Sequence, residues 1–311
     1  MKILFMGTPD FAAKILEAVA GTRHSVVGAI SQPDKPKGRG HKLMPTEVRV
    51  KAEELGIPVY QPQTLKNGAA KEILDELEPD MIIVAAYGKI LPDYVIDYPK
   101  YGCINVHPSL LPKYRGAAPI QWAVINGEEK TGVCIMRMDY GLDTGDIILC
   151  EDTEIDEYET TGELFDRLAE LGGELLVEAI DKIENGTAEY TPQNHEEHTY
   201  APMITKDIAT IDWSKPAEEI SKLICGLNPY PLAQTTYKGQ GLKIAEAFVT
   251  DGIGTPGKIL GLEKGFGLIV ACGEGALYVK TVQFAGSKKM DIEDYARGHE
   301  LEMGVILGAE Q

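Results

Sequence analysis

A chain of 311 residues, 44% apolar and 25% charged, has the composition of a globular protein and the length for two domains of roughly 100 to 200 residues each. The formal net charge of −18 argues against a general nucleic-acid binder, because a phosphate backbone demands positive charge somewhere, so any RNA partner must be met by a local basic patch. The opening MKILFMGTPDF breaks at Gly7 and Pro9 before a signal-peptide core forms, and the apolar run 81–87 is far short of the ~20 residues of a membrane helix, so neither export nor membrane insertion is expected.

Apolar runs at 2–6, 25–31, around Pro58 and at 81–87 alternate with helical patterns at 11–20, 46–55 and 69–77. This βαβ rhythm predicts an α/β fold with a Rossmann-like, mostly parallel sheet carrying helices on both faces. Further strands are expected at 102–107, 132–138 and 146–150, followed by a long helix over 160–183. Sixteen Asp and Glu lie between Glu151 and Glu197 against Arg167 and Lys182, a charge run that reads as a solvated face. From Tyr190 to Lys206 periodicity vanishes among prolines and polar residues, as in an interdomain connection. The expected division is therefore 1–189, a linker at 190–206, and 207–311. After a helix at 217–225, the last segment breaks into short β-type runs separated by glycine, predicting a small barrel or sandwich.

Cys103, Cys134, Cys150, Cys225 and Cys272 are scattered singly and odd in number. They fit neither a disulfide framework nor paired zinc ligands, and so point to a reducing cytoplasm. His195 and His198 flank two glutamates in NHEEH, but outside a clear helix and without a third ligand at known spacing no metal is expected there.

Chemistry concentrates in CINVHPSLLPKYRGAAPIQWA, residues 103–123. In a strand Asn105 and His107 share a face, and Pro108 ends the ladder. An amide and an imidazole thus arrive together at a strand's carboxyl end, the edge where open α/β sheets bind ligands. The bland alternative, a turn cap and a surface histidine, is common for such residues; the costly proline- and glycine-rich loop that follows favours the functional reading. A second loop, MDYGLDTGDI at 138–147, offers Asp139, Asp143 and Asp146. All three could simply stabilise turns, or one could support the imidazole. A third segment, 32–44, gathers Lys35, Lys37, Arg39 and Lys42 in an otherwise acidic chain, as an RNA contact would. The GxGxxG fingerprint of nicotinamide enzymes is missing after the first strand, where Gly7 is followed by Thr8, Pro9 and Asp10.

The segments MGTPDFAAKIL, SQPDKPKGRGHKLMPTEVR, AAYGKILP, INVHPSLLPKYRGAAPIQWAVINGE and MDYGLDTGDI, with IDWSKPAEEI and NPYP further on, resemble the methionyl-tRNA formyltransferase family, in that family's order and across essentially the whole chain. The resemblance implies formyl transfer from 10-formyltetrahydrofolate to the amino group of initiator methionyl-tRNA, with no metal, no stable protein partner and a C-terminal OB-like β-barrel that contacts tRNA. It assigns Asn105, His107 and Asp143 as the catalytic trio. It places Ser109, Leu110, Leu111 and Pro112 along the tetrahydrofolate site, with the 85–92 loop nearby, and Arg39 on the tRNA. Lys243, Lys288 and Lys289 are further candidates for tRNA contact. The chain departs from the family pattern with Cys134 at a usual Thr and Cys225–Gly226 in place of an Arg–Ala pair. A formyltransferase for an amino sugar or a purine-pathway amine would keep the same trio but needs no basic loop.

Overall fold

The computed structural model describes residues 1–37 and 42–309. They divide into two compact units: Met1–Pro119 with Thr131–Thr153 and Phe165–Pro202, and Ile120–Lys130 with Glu154–Leu164 and Met203–Gln311.

In the first unit the elements run β1 (Lys2–Gly7), α1 (Asp10–Ala20), β2 (Ser25–Ile30), β3 (Lys35–Lys37), β4 (Lys42–Met44), α2 (Glu47–Glu54), β5 (Val59–Tyr60), α3 (Lys71–Leu77), β6 (Met81–Ala85), α4 (Asp93–Ile96), β7 (Cys103–His107) and β8 (Arg115–Gly116). After α5 (Pro119–Ile125) come β9 (Lys130–Arg137), β10 (Ile147–Glu154), α6 (Thr161–Glu184) and β11 (Tyr200–Ala201). Seven strands form one sheet in the order β10-β9-β7-β6-β1-β2-β5. From β5 to β7 neighbours are parallel, and β9 joins antiparallel to β7.

Strand alternation builds the two faces. Leu4, Met6, Ile82, Val84 and Cys103 pack with Leu74 of α3 and Val95 of α4. Val106, on the opposite face, lies against Gly172 of α6, which also approaches Ile15 of α1. The apolar residues Phe11, Ile15, Leu16 and Val19 of α1 are buried, the helical spacing that seats a helix on a sheet. Helices thus cover both faces, as expected. The chain runs from β1 to β2 on one side and returns to β6 on the other. The carboxyl ends of β1, β6 and β7 consequently meet at a reversal of strand order, where α/β sheets form ligand crevices. Gly7 ends β1 there because a Cβ would fall 2.5 Å from the Ala12 Cβ and 2.8 Å from the Ala85 carbonyl oxygen.

One expectation is overturned. Cys134 and Cys150 form a disulfide between the neighbouring strands β9 and β10, while Cys103, Cys225 and Cys272 are buried thiols. The pair is 16 positions apart in sequence; the pairing of β9 with β10 makes them neighbours, which spacing in the chain did not reveal. Cysteine usage therefore carries no argument for a reducing compartment.

The second unit adds α7 (Ala217–Gly226), β12 (Ala233–Tyr237), β13 (Gln240–Thr250), β14 (Ile259–Glu263), β15 (Gly267–Ala271), β16 (Ala276–Phe284), β17 (Met290–Asp291) and α8 (Ile292–Gly298). Its antiparallel sheet runs β12-β13-β16-β15-β14, with β17 on β16. Register shifts near Glu246 mark a bulge, the usual device for bending a long strand. Ile220, Ile224, Ile244, Val270, Leu277 and Val282 form its core. Among the described residues no helix is long and apolar enough to cross a membrane.

Candidate active site

Strand β7 delivers Asn105 and His107 to the carboxyl edge. Asn105 stands opposite Val84 of β6 and Met136 of β9, and His107 opposite Cys134. Both side chains are nearly enclosed, at 8% and 4% exposure. His107 Nε2 lies 3.0 Å from the Tyr114 carbonyl oxygen. A carbonyl can only accept, so Nε2 carries the proton, and in the neutral ring Nδ1 holds the lone pair. That lone pair faces Asp143, with Nδ1 3.8 Å from Oδ2, too far for a hydrogen bond but within ion-pair reach. The imidazole is therefore oriented by backbone, with the Asp143 carboxylate facing its other nitrogen. The Asn105 carboxamide shares the strand face of His107, so amide and imidazole reach the same edge together.

The three aspartates of the 138–147 loop take different jobs. Asp139 Oδ1 accepts from the Gly141 N–H at 3.0 Å and the Thr144 hydroxyl at 2.6 Å, the turn-stabilising use of such a side chain. The Asp146 carbonyl accepts from the Arg137 N–H at 2.9 Å, continuing the pairing of β9 with the chain that enters β10. Asp143 sits at φ 52°, in the left-handed region that costs a non-glycine residue energy. Its Oδ2 accepts the Gly116 N–H at 2.8 Å, which aims the same oxygen at His107.

The four residues expected along a folate site lie just after β7. The buried Ser109 is used internally: its N–H donates to the His107 carbonyl at 2.9 Å and its hydroxyl to the Lys113 carbonyl at 2.8 Å. Leu111 packs on Cys134 and Met136. Leu110 and Pro112 are half-buried. In the adjoining 85–92 loop, the Tyr87 carbonyl accepts from the Thr8 hydroxyl at 3.0 Å and from Gln32 Nε2 at 2.9 Å. The Tyr87 ring is buried, and its hydroxyl has no partner among the described residues.

Arg39 lies outside the described residues. The strands that flank it, β3 and β4, form an antiparallel pair, with Leu43 and Met44 exposed. Its base is tied by Asp34, which accepts from Arg49 Nη1 at 2.6 Å and Gln61 Nε2 at 2.7 Å. In the second unit Lys288 and Lys289 are exposed, whereas Lys243 Nζ turns to the Pro231 carbonyl at 3.0 Å.

Sequence reading missed one part of this site. Residues 190–202, taken as connection, belong to the first unit, where β11 pairs with β8. Thr199 Oγ1 accepts the Tyr114 N–H at 2.8 Å. Gln193 bonds both Arg115 and the Asp143 loop, and His195 Nδ1 lies 3.1 Å from Arg115 Nη2. The arginine in PKYRGAAP was the available signal; its partner lies 78 residues away. His24, Asp181 and Glu184 have ligand-type atoms within 4.8 Å of one another, but Arg23 Nη2 already holds both carboxylates, at 2.8 and 2.5 Å.

Residues 1–180 match the family described as formyl transferase, and residues 203–300 match the formyl transferase C-terminal domain. Methionyl-tRNA formyltransferase of Alkaliphilus oremlandii is 50% identical over 310 residues, covering 99% of this chain and all of that protein. The protein of that name from Acetivibrio thermocellus is 49% identical, over 99% of this chain and all of its own length. Among solved structures, the N-formyltransferase from Helicobacter canadensis, in complex with folinic acid and dTDP-3-aminofucose, shares the fold. Its TM-score is 0.66 at 20% identity, over 93% of this chain and all of that one. HypX from Aquifex aeolicus with tetrahydrofolic acid aligns at a TM-score of 0.65 and 18% identity, over 95% of this chain and 47% of that one. With both domains matched and half of all residues shared along the full length of such relatives, the chain belongs to the methionyl-tRNA formyltransferase family of formyl transferases.

Proposed function

We propose that this protein transfers the formyl group of 10-formyltetrahydrofolate to the α-amino group of methionyl initiator tRNA, in the cytoplasm, as a step of translation initiation. The observation that carries the reading is the placement of His107, with Nε2 on the Tyr114 carbonyl and Nδ1 facing Asp143, beside the Asn105 amide on the same strand face.

The incoming amine is itself the nucleophile, so no activated Ser or Cys is required. Its nitrogen bonds to the formyl carbon, and the formyl oxygen becomes an oxyanion that the Asn105 amide is suited to stabilise. The amine sheds a proton to His107 Nδ1, and the Asp143 carboxylate favours the resulting imidazolium. The bond from carbon to N10 of the folate then breaks, and the proton passes from His107 to that departing nitrogen. Ser109, Leu110, Leu111 and Pro112 would border the folate. Arg39 and the 207–311 segment, through Lys288 and Lys289, would meet the tRNA.

The test is a formylation assay with formyl-labelled 10-formyltetrahydrofolate and methionine-charged initiator and elongator tRNA, with a dTDP-amino sugar alongside. Selective formylation of the initiator is expected. Transfer to the amino sugar with neither tRNA modified would overturn the reading.

A further inference from the structure

The Asp143 loop is gripped by the buried side chain of Gln193, which is itself held by buried Arg115, and the mechanism above uses neither. Gln193 Nε2 donates to the carbonyls of Asp143, at 2.9 Å, and Gly145, at 2.7 Å. Its Oε1 accepts from Arg115 Nε at 3.1 Å and Nη2 at 2.6 Å. Gln193 and Arg115 are each 6% exposed. A carboxamide is nearly symmetric in shape, so either end could face the loop. A guanidinium only donates, so with Arg115 at one end the oxygen must face Arg115 and the NH2 must face the two carbonyls.

Arg115 also acts through its backbone. Strand β8 is held by the Arg115 N–H on the Thr199 carbonyl and the Ala117 N–H on the Ala201 carbonyl, both at 2.9 Å. The intervening Gly116 N–H is thereby aimed at Asp143 Oδ2. Asp143 has a backbone conformation that side-chain-bearing residues rarely keep unless their surroundings enforce it. Gln193 restrains the carbonyl of that residue and the one two positions on, while Gly116 restrains its carboxylate.

We propose that Arg115 and Gln193 are positioning residues for Asp143: Gln193 holds the backbone of the loop, and Arg115 dictates which end of Gln193 does so. The proposal rests on the reading of Asp143 as the carboxylate partner of His107. It accounts for the buried arginine of β8 and gives the 190–202 stretch a role in the reaction.

Gln193→Glu separates positioning from packing. The shape and the Arg115 pairing survive, but a carboxylate cannot donate to the two carbonyls. Formylation of methionyl initiator tRNA by the full-length protein should lose at least about tenfold in kcat, with KM for both substrates within about twofold. Binding of 5-formyltetrahydrofolate should stay near wild type, and the variant should remain folded at the assay temperature with a lowered melting temperature, because two buried carbonyls lose their donor. Gln193→Met, similar in length and uncharged, should slow turnover likewise, showing that the added charge is not the cause. In an Asp143→Ala background Gln193→Glu should cost less than about twofold more, because residues that act through one another are not additive.

Wild-type kcat in both Gln193 variants overturns the proposal. So does an equal fold-loss with and without Asp143, or a loss confined to folded protein and folate binding. If Asp143→Ala alone turns over normally, the reading of Asp143 fails instead; a slow Asp143→Ala beside normal Gln193 variants removes the positioning role and leaves that reading standing.

Discussion

The Tyr114 carbonyl accepts a hydrogen bond from the Nε2–H of His107 at 3.0 Å, leaving Nδ1 to face Asp143 Oδ2 at 3.8 Å. Orientation and charge stabilisation are therefore supplied by different groups. The backbone bond persists whatever stands at position 143, so removing the carboxylate should not release the ring.

That division ranks three variants. His107→Ala removes the proton acceptor and Asn105→Ala an oxyanion donor, and each should lower turnover by at least about a hundredfold with little change in folding. Asp143→Asn keeps the ring oriented and should cost less than His107→Ala, on the order of tenfold to a hundredfold. Single-turnover formylation with thermal unfolding as a control decides it. Near-normal rates for His107→Ala would remove the assignment, and a larger loss for Asp143→Asn than for His107→Ala would contradict the division of labour.

The basic segment 32–44 should act on tRNA and leave folate alone. Arg39→Ala is expected to raise KM for methionyl-tRNA and to reduce the steepness of its salt dependence by about one unit on a log–log plot, as for one lost phosphate contact. Affinity for 5-formyltetrahydrofolate should not change. Asp34→Ala, which unties the base of the segment from Arg49 and Gln61, should weaken tRNA use in the same direction. An unaltered salt slope in Arg39→Ala would show that the segment does not meet RNA.

What the sequence could disclose was governed by the range of the interactions. The βαβ rhythm and the shared face of Asn105 and His107 follow from periods of 3.6 and 2 residues, so both were legible. Asp143 could not be told from Asp139 by pattern, because both lie in one glycine-rich loop; they part only when the Gly116 N–H arrives from β8. Gln193 was invisible for the same reason. It lies in an aperiodic stretch, and its partners are 78 and 50 residues away. The Cys134–Cys150 bond needed the pairing of β9 with β10.

Helix α6 begins with a reciprocal cap that should be visible in acid. Thr160 Oγ1 accepts the Glu163 N–H at 3.3 Å, and Glu163 Oε2 accepts the Thr160 N–H at 2.9 Å and its hydroxyl at 2.7 Å, the geometry of a capping box. These bonds to the carboxylate hold Glu163 below the ordinary value of 4.5. A lowered folded-state value means that the unfolded chain binds the proton more readily, so the stabilisation is complete above the ordinary value. It is lost as pH falls from there through the depressed one. Glu163→Gln should therefore flatten the fall in melting temperature below that point and leave neutral stability lower by a few tenths to about 1 kcal/mol. Parallel wild-type and variant melting curves across the acid range would refute the cap's contribution.

Tyr87 offers a substitution that should strengthen the protein. Its ring fills the core against α3 and α4, its hydroxyl is buried without a partner among the described residues, and burial pushes the phenol up to about 12. A buried hydroxyl with no hydrogen bond forfeits about 1 to 3 kcal/mol of desolvation energy. Tyr87→Phe removes that penalty and keeps the ring, while the bonds from Thr8 and Gln32 go to the Tyr87 carbonyl and are untouched. The melting temperature should rise by roughly 2 to 4 °C per kcal/mol recovered. The gain should be the same at pH 6 and pH 9, because the phenol does not ionise in that interval. A drop in melting temperature would show that the hydroxyl has a partner in solution. A higher melting temperature with weakened 5-formyltetrahydrofolate binding would assign that partner to the folate, and would make the unpaired hydroxyl part of the site.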